Sequence, residues 1–132
     1  MNAEPPGGGL SILVVDDETL VAMLLEDMLL DLGCRVAGSA STVAQAIALI
    51  EGGDQTLDGA FLDINLRGDL VYPVADALAA RDVPFVFLTG YASSGIDPRY
   101  AAIPALVKPV SMATFENVVR NFAERRRRRK PI

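Results

Sequence analysis

The 132-residue sequence contains no histidine and no tryptophan, and its only cysteine is Cys34. Without histidine there is no Ser-His-Asp or Cys-His nucleophile pair, and no imidazole to hold a transition metal. A single thiol excludes an internal disulfide framework and a cysteine-based zinc site. Acid–base or metal chemistry must therefore run on Asp, Glu, Lys, Thr or Tyr. No apolar stretch reaches the roughly 20 residues that span a bilayer. The opening residues, MNAEPPGGG, lack both the basic and the apolar parts of an export signal. The expected compartment is a reducing cytoplasm, with no membrane span.

What is present is ordinary for a globular chain: 51% hydrophobic and 22% charged residues, in a length that suits one domain with its own packed core. The charge is uneven. Six of the 12 basic residues lie in Arg125–Lys130, whereas all 17 acids lie at or before Glu124, leaving a body of net −11 against a tail of +6. An acidic body argues against a nucleic-acid face on the folded part. Residues 1–9 read as a flexible leader, 10–124 as the folded domain, and 125–132 as a basic tail that frays from the last helix into solvent.

Along the chain, short runs rich in branched residues alternate with helical patterns. Leu10–Val15, Cys34–Ala40, Leu57–Asp63, Val83–Leu88 and Ala105–Val107 read as five strands. Leu20, Leu24, Met28 and Leu32, flanked by Val21, Leu25 and Leu29, predict a helix over 19–32 that Gly33 ends. Ser41 and Thr42 cap a second helix carrying Val43, Ile47 and Ile50. Pro73 opens a third, through Arg81, with Val74 and Leu78 inward. Ser111 caps the last, with Phe115, Val118, Val119 and Phe122 inward. Tyr91–Ile103 shows no clear period and is expected to be marginally ordered. The alternation implies an α/β fold in three layers, a parallel sheet with helices on both faces, and the flavodoxin-like strand order 2-1-3-4-5.

In that order the first and third strands are neighbours, about 4.8 Å apart, and ligands bind beyond their carboxyl ends. Asp16 and Asp17 follow the first strand, Asp63 ends the third with Asn65 two residues on, Thr89 ends the fourth, and Lys108 ends the fifth. Three crowded carboxylates either raise their pKa values or recruit a hard cation, and Mg²⁺ suits an all-oxygen site. Thr89 is one strand from Asp63; Lys108 is two strands away, a span that only a long side chain bridges. Taken singly, Asp16-Asp17-Glu18 is a helix start favoured by the helix dipole, Thr89-Gly90 a turn and Lys108-Pro109 a strand exit.

Together the segments ILVVDDE (Ile12–Glu18), FLDINL (Phe61–Leu66), FLTGY (Phe87–Tyr91) and VKP (Val107–Pro109) resemble the receiver domain of bacterial response regulators, over about residues 10–124. The resemblance implies that Asp63 accepts a phosphoryl group from a sensor histidine kinase. It implies that Asp16 and Asp17 bind Mg²⁺ with Asp63 and the Asn65 carbonyl, that Lys108 pairs with the phosphoryl oxygens, and that Thr89 hydrogen-bonds them after transfer. Receivers signal by contact with a further protein, here unknown, and catalyse only their own phosphorylation and dephosphorylation.

Two departures stand out. Many receivers carry Tyr or Phe three residues before the lysine, as a ring that turns inward on activation; here that position is Ala105. PFVFLTGY (Pro84–Tyr91) is similar to the PFxFATGY signature of a subgroup of stand-alone receivers, with Leu88 in place of Ala. That subgroup implies HWE-type sensor kinases and stress signalling. No DNA-binding or other output domain is expected in the eight residues after Glu124. The alternatives are an Mg²⁺-dependent phosphatase of the haloacid-dehalogenase type, a flavodoxin-like cofactor binder, and a phosphate-insensitive scaffold with the receiver fold.

Overall fold

The computed structural model describes residues 5–53, 56–90 and 96–129. In chain order the elements are β1 (Ser11–Val15), α1 (Thr19–Asp31), β2 (Arg35–Ala40), α2 (Val43–Gly52), β3 (Gly59–Asp63), β4 (Asn65–Leu66), β5 (Asp69–Leu70), α3 (Tyr72–Ala80), β6 (Phe85–Thr89), a 3-10 turn at Pro98–Tyr100, β7 (Ala105–Val107) and α4 (Met112–Arg129). The main sheet is parallel and runs β2-β1-β3-β6-β7. Counted over these five strands, that is the expected order 2-1-3-4-5.

Alternation along the central strands builds two cores. Leu13, Val15, Leu62, Phe85 and Phe87 face α2 and α3, where Ala46, Ile50, Val74 and Leu78 meet them. Ile12, Val14, Phe61, Val86 and Leu88 face α1 and α4, against Leu25, Leu29, Phe115, Val119 and Phe122. Burial on both faces is why β1 and β3 read as continuous apolar runs.

Helix ends follow local chemistry. At the end of α1, Gly33 takes φ +86°; its N–H donates to the Leu30 carbonyl at 3.0 Å, and Cys34 N–H to the Leu29 carbonyl at 2.9 Å. This pair of bonds is a Schellman stop, which needs a left-handed residue. Thr42 Oγ1 accepts from Gln45 N–H at 3.1 Å, and Gln45 Oε1 accepts in return from Ser41 N–H at 3.0 Å. Ser111 Oγ accepts from Thr114 N–H at 3.2 Å.

Four expectations need correction, and one element is new. The inward face of α1 is Ala22, Leu25 and Leu29, continued by Leu32; Leu20 and Leu24 are 81% and 56% exposed. Apolar residues cover more than half of this helix, so the spacing fits two faces, and the small Ala22 sits on the one that meets the sheet. The leader is not loose over Pro5–Gly9: Gly7 N–H donates to the Leu32 carbonyl at 2.6 Å and Gly9 N–H to that of Gly33 at 2.9 Å. Residues 1–4 lie outside the described residues. The segment after β6, expected to be marginally ordered, forms a 3-10 turn at Pro98–Tyr100 in its later part, and Tyr100 and Ile103 pack onto the core; its first part, 91–95, lies outside the described residues. The short β4–β5 hairpin has no counterpart in the sequence reading. Finally, α4 runs on through Arg129. Arginine is a good helix former and is favoured at a helix C-terminus. Arg126 also reaches buried Asp58 at 3.6 Å. Residues 130–132 lie outside the described residues.

Candidate functional site

The sheet's carboxyl edge gathers the polar residues. Asp16 extends the β1 ladder by one bond, its N–H donating to the Ala40 carbonyl at 3.0 Å. Its buried side chain then turns the chain into α1: Oδ1 accepts from Glu18 N–H at 2.8 Å, a local turn of the kind Asp favours. The other oxygen, Oδ2, accepts from Lys108 Nζ at 3.0 Å. Asp17 points to the neighbouring hairpin, where its Oδ2 accepts from Arg67 N–H at 3.0 Å.

Asp63 ends β3 opposite Leu88 of β6. It is buried, and its Oδ2 accepts from Lys108 Nζ at 3.1 Å while Oδ1 accepts from Asn65 N–H at 3.3 Å. Asn65 Oδ1 in turn accepts from Gly68 N–H at 2.8 Å, closing the hairpin tip. The β4–β5 hairpin thus braces Asp17 and Asp63 from one side, which nothing in the sequence pattern announced.

Lys108 leaves β7 with its backbone N–H on the Thr89 carbonyl at 2.8 Å, and the Lys108–Pro109 peptide is cis. From there its stem crosses to the centre of the sheet. Thr89 stands one residue past the Asp63–Leu88 pair, at the end of β6. The structure therefore brings Asp16, Asp17, Asp63 and Lys108 together, sets Asn65 beside them, and leaves Thr89 on the adjoining strand end. It adds Glu18, whose Oε1 accepts from Lys108 Nζ at 3.1 Å. Glu18 was visible only as a third acid at a helix start, a place where acids are common for other reasons.

The electrostatics are strained toward positive charge. Asp16, Asp17, Glu18 and Asp63 each offer an oxygen, all within 4.8 Å of one another, and the Lys108 ammonium bonds three of them, Asp16, Glu18 and Asp63. Burial pushes the Asp63 carboxyl up to about 6; the hydrogen bond and charge of Lys108 oppose that, and the charge of Asp16 adds to it. Burial alone would lower Lys108, but its hydrogen bonds to Asp16, Asp63 and Glu18 outweigh it and hold the ammonium above its usual range. A cleft of about 730 Å³ opens over these groups, with Val21, Leu24, Met28 and Val110 forming its apolar end. Among the described residues, no helix is long and apolar enough to cross a membrane.

Comparison with known proteins agrees with this arrangement. The transcriptional regulatory protein DcuR of Escherichia coli K12 is 25% identical over 123 residues, covering 89% of this chain and 52% of that protein. The chain spans about half the length of this curated relative. The solution structure of SdrG from Sphingomonas melonis Fr1 is 44% identical with a TM-score of 0.76, the match covering 87% of this chain and 97% of that one. The receiver domain of sensor histidine kinase PA1611 from Pseudomonas aeruginosa PAO1, solved with magnesium coordinated in its active-site cleft, is 27% identical with a TM-score of 0.75, over 88% of this chain and 98% of that one. The family described as response regulator receiver domain matches residues 12–120, most of the chain and every strand of the main sheet except the first residue of β1. On that match, and on a fold shared with receivers along almost their whole length, the chain belongs to the response regulator receiver domain family.

Proposed function

We propose that the chain accepts a phosphoryl group on Asp63 from a phosphohistidine of a sensor kinase and passes the signal on by protein contact. The observation that carries this reading is the meeting of Lys108 Nζ with Asp63 Oδ2 at 3.1 Å inside a four-carboxylate cleft. In the transfer, a carboxylate oxygen of Asp63 bonds to phosphorus as the P–N bond to the kinase imidazole breaks, with the bonding pair leaving on nitrogen. The product is an acyl phosphate, with about two negative charges in place of one. Lys108 offsets that gain directly at the phosphoryl oxygens, the positioning and charge neutralisation on which phosphoryl transfer depends. Thr89, at the neighbouring strand end, offers a hydroxyl to the phosphoryl group once it is in place.

The donor set fits a hard divalent cation: carboxylate oxygens only, with several of them close enough to share one ion. Asp16, Asp17 and Asp63 would hold Mg²⁺, with the Asn65 backbone carbonyl as a further ligand. When bound, the ion supplies charge neutralisation at the phosphoryl oxygens.

Pro84–Tyr91 and Ala105 favour the subgroup of stand-alone receivers served by HWE-type kinases. The likeness to SdrG, whose solved chain matches over 97% of its length, supports a regulator built on the receiver domain; its place of action in this reading is the cytoplasm, and its output a contact with a partner protein.

The test is intact mass after incubation with acetyl phosphate and Mg²⁺. One phosphoryl group is expected on the wild type and none on Asp63→Asn; labelling of that variant at the wild-type level overturns the assignment. In the same samples Asp17→Asn should bind Mg²⁺ more weakly by titration calorimetry, and an unchanged affinity removes Asp17 from the metal site.

A further inference from the structure

An ammonium has three N–H donors, and Lys108 spends each on a different carboxylate: Asp16 Oδ2 at 3.0 Å, Glu18 Oε1 at 3.1 Å and Asp63 Oδ2 at 3.1 Å. A phosphoryl group on Asp63 brings three strong acceptor oxygens. Lys108 has no donor to give them until one of its present bonds is released.

The three partners differ in how readily they let go. Asp63 is the group that becomes the acyl phosphate. The Asp16 side chain is 0% exposed, with its second oxygen fixed on Glu18 N–H; stripping it of Lys108 leaves a buried charge unpaired, a costly change. The Glu18 side chain is 62% exposed. Among the described residues its carboxylate has no hydrogen-bond partner but Lys108, and water replaces that partner at little cost. The Lys108 side chain itself is only 15% exposed, so the two fixed partners hold it in the cleft when the third leaves.

We propose that Glu18 is a positioning residue for the phosphoryl acceptor, the releasable third partner of Lys108. Before transfer it completes the ammonium's hydrogen bonding. After transfer it yields one N–H to the phosphoryl oxygens and turns to water. This rests on the phosphoacceptor reading above and adds a residue to it. Because the pair stabilises only the unphosphorylated arrangement, losing it favours the phosphorylated one. An exposed ion pair sets the scale, an effect of about five-fold at most.

The experiment measures two quantities at saturating Mg²⁺: the rate of labelling by acetyl phosphate, and the affinity for beryllofluoride as an unreacting phosphoryl analogue. It uses the wild type, Glu18→Gln and Glu18→Asp. Gln keeps the reach but not the charge, and Asp keeps the charge but is one methylene shorter. Both variants are expected to bind beryllofluoride and to label about two- to five-fold better than the wild type. In a Lys108→Ala background the Glu18→Gln change should have no effect on beryllofluoride affinity, because the residue acts through Lys108. A gain in Glu18→Gln alone would make the effect simple charge repulsion and overturn the proposal. So would unchanged values in both variants, or a gain that persists without Lys108. A wild type that takes no label and no beryllofluoride would sink the phosphoacceptor reading itself, and this inference with it.

Discussion

Tyr100 lies flat on Tyr72 of α3, with ring centroids 5.9 Å apart and planes within 8°, and its hydroxyl donates to Asp76 one turn along that helix. The edges of Phe85 and Phe87 close the pocket at 5.8 and 5.9 Å. Asp97 N–H donates to Tyr72 Oη at 2.8 Å, and Arg99 pairs with Asp97 at 3.2 Å and Asp76 at 3.6 Å. The connection between β6 and β7 is thus hooked to α3 by a ring and several polar contacts. Ala105 packs against the same cluster. Where many receivers have a ring at the position of Ala105, this chain brings one in from Tyr100.

The Tyr100 anchor predicts a graded loss of stability. Tyr100→Phe removes one hydrogen bond and should cost about 1 kcal/mol. Tyr100→Ala removes the ring as well and should cost about 2–3 kcal/mol, somewhat below a fully buried aromatic because the ring is only partly covered. Urea unfolding midpoints give both numbers. Burial first, then the Asp76 bond and charge, push the Tyr100 hydroxyl up to about 12, so ultraviolet titration of the wild type should show a late tyrosine that Asp76→Ala shifts down. Equal stability of all three proteins would mean that the ring does not anchor the segment.

The sheet was legible in the sequence because its strands are buried on both faces, and burial leaves apolar runs that turns must interrupt. The acidic cleft was legible for a related reason. Strand order sets which ends are neighbours, and Asp16, Asp63 and Lys108 are of the types and lengths that close those gaps. The missed features carry no periodic signal. Two-residue strands such as β4 and β5 fall below any pattern. The spacing of α1 does not tell Leu20 and Leu24 from the inward face, because the helix has apolar residues on two faces and only contact with the sheet selects one. Glu18 meets Lys108 some 90 residues away, and Tyr100 meets Tyr72, Asp76, Phe85 and Phe87 on other elements; composition does not encode such long-range contacts.

Gly59 supports a second stability prediction. It lies where β3 passes under α4, and a Cβ there would come within 2.4 Å of Cδ2 of Phe122. That ring cannot simply swing away, because it sits edge-on to Phe61 at 5.7 Å, and Phe61 stacks on Phe115 at 4.6 Å. Gly59→Ala should therefore cost about 1–3 kcal/mol through overpacking. Pairing it with Phe122→Leu should recover part of the loss, giving a favourable coupling in the double-mutant cycle. Additive effects of the two changes would show that the ring and Gly59 do not compete for space.

The last prediction is a pH dependence set by Cys34. Its thiol is buried between the end of α1 and β2, and burial first, then the charge of Asp58, raises its pKa from 9.0 to about 11. At pH 8 the folded chain should react slowly with a disulfide reagent, and fully only when unfolded, because the thiolate is the nucleophile. The linkage to stability has a definite sign. Below about pH 9 the thiol is protonated in both states, and its contribution is complete. Between pH 9 and 11 the unfolded thiol ionises while the folded one does not, so the unfolded state gains and stability is lost as pH rises. The loss amounts to about 2 kcal/mol by pH 11, where the folded thiol is itself half ionised, and levels off above that. Cys34→Ala has a constant cavity cost but no such titration. The stability advantage of the wild type over Cys34→Ala should therefore be flat below pH 9 and shrink toward pH 11. An advantage that stays constant across that window, in urea unfolding at matched ionic strength, would place the thiol in contact with water.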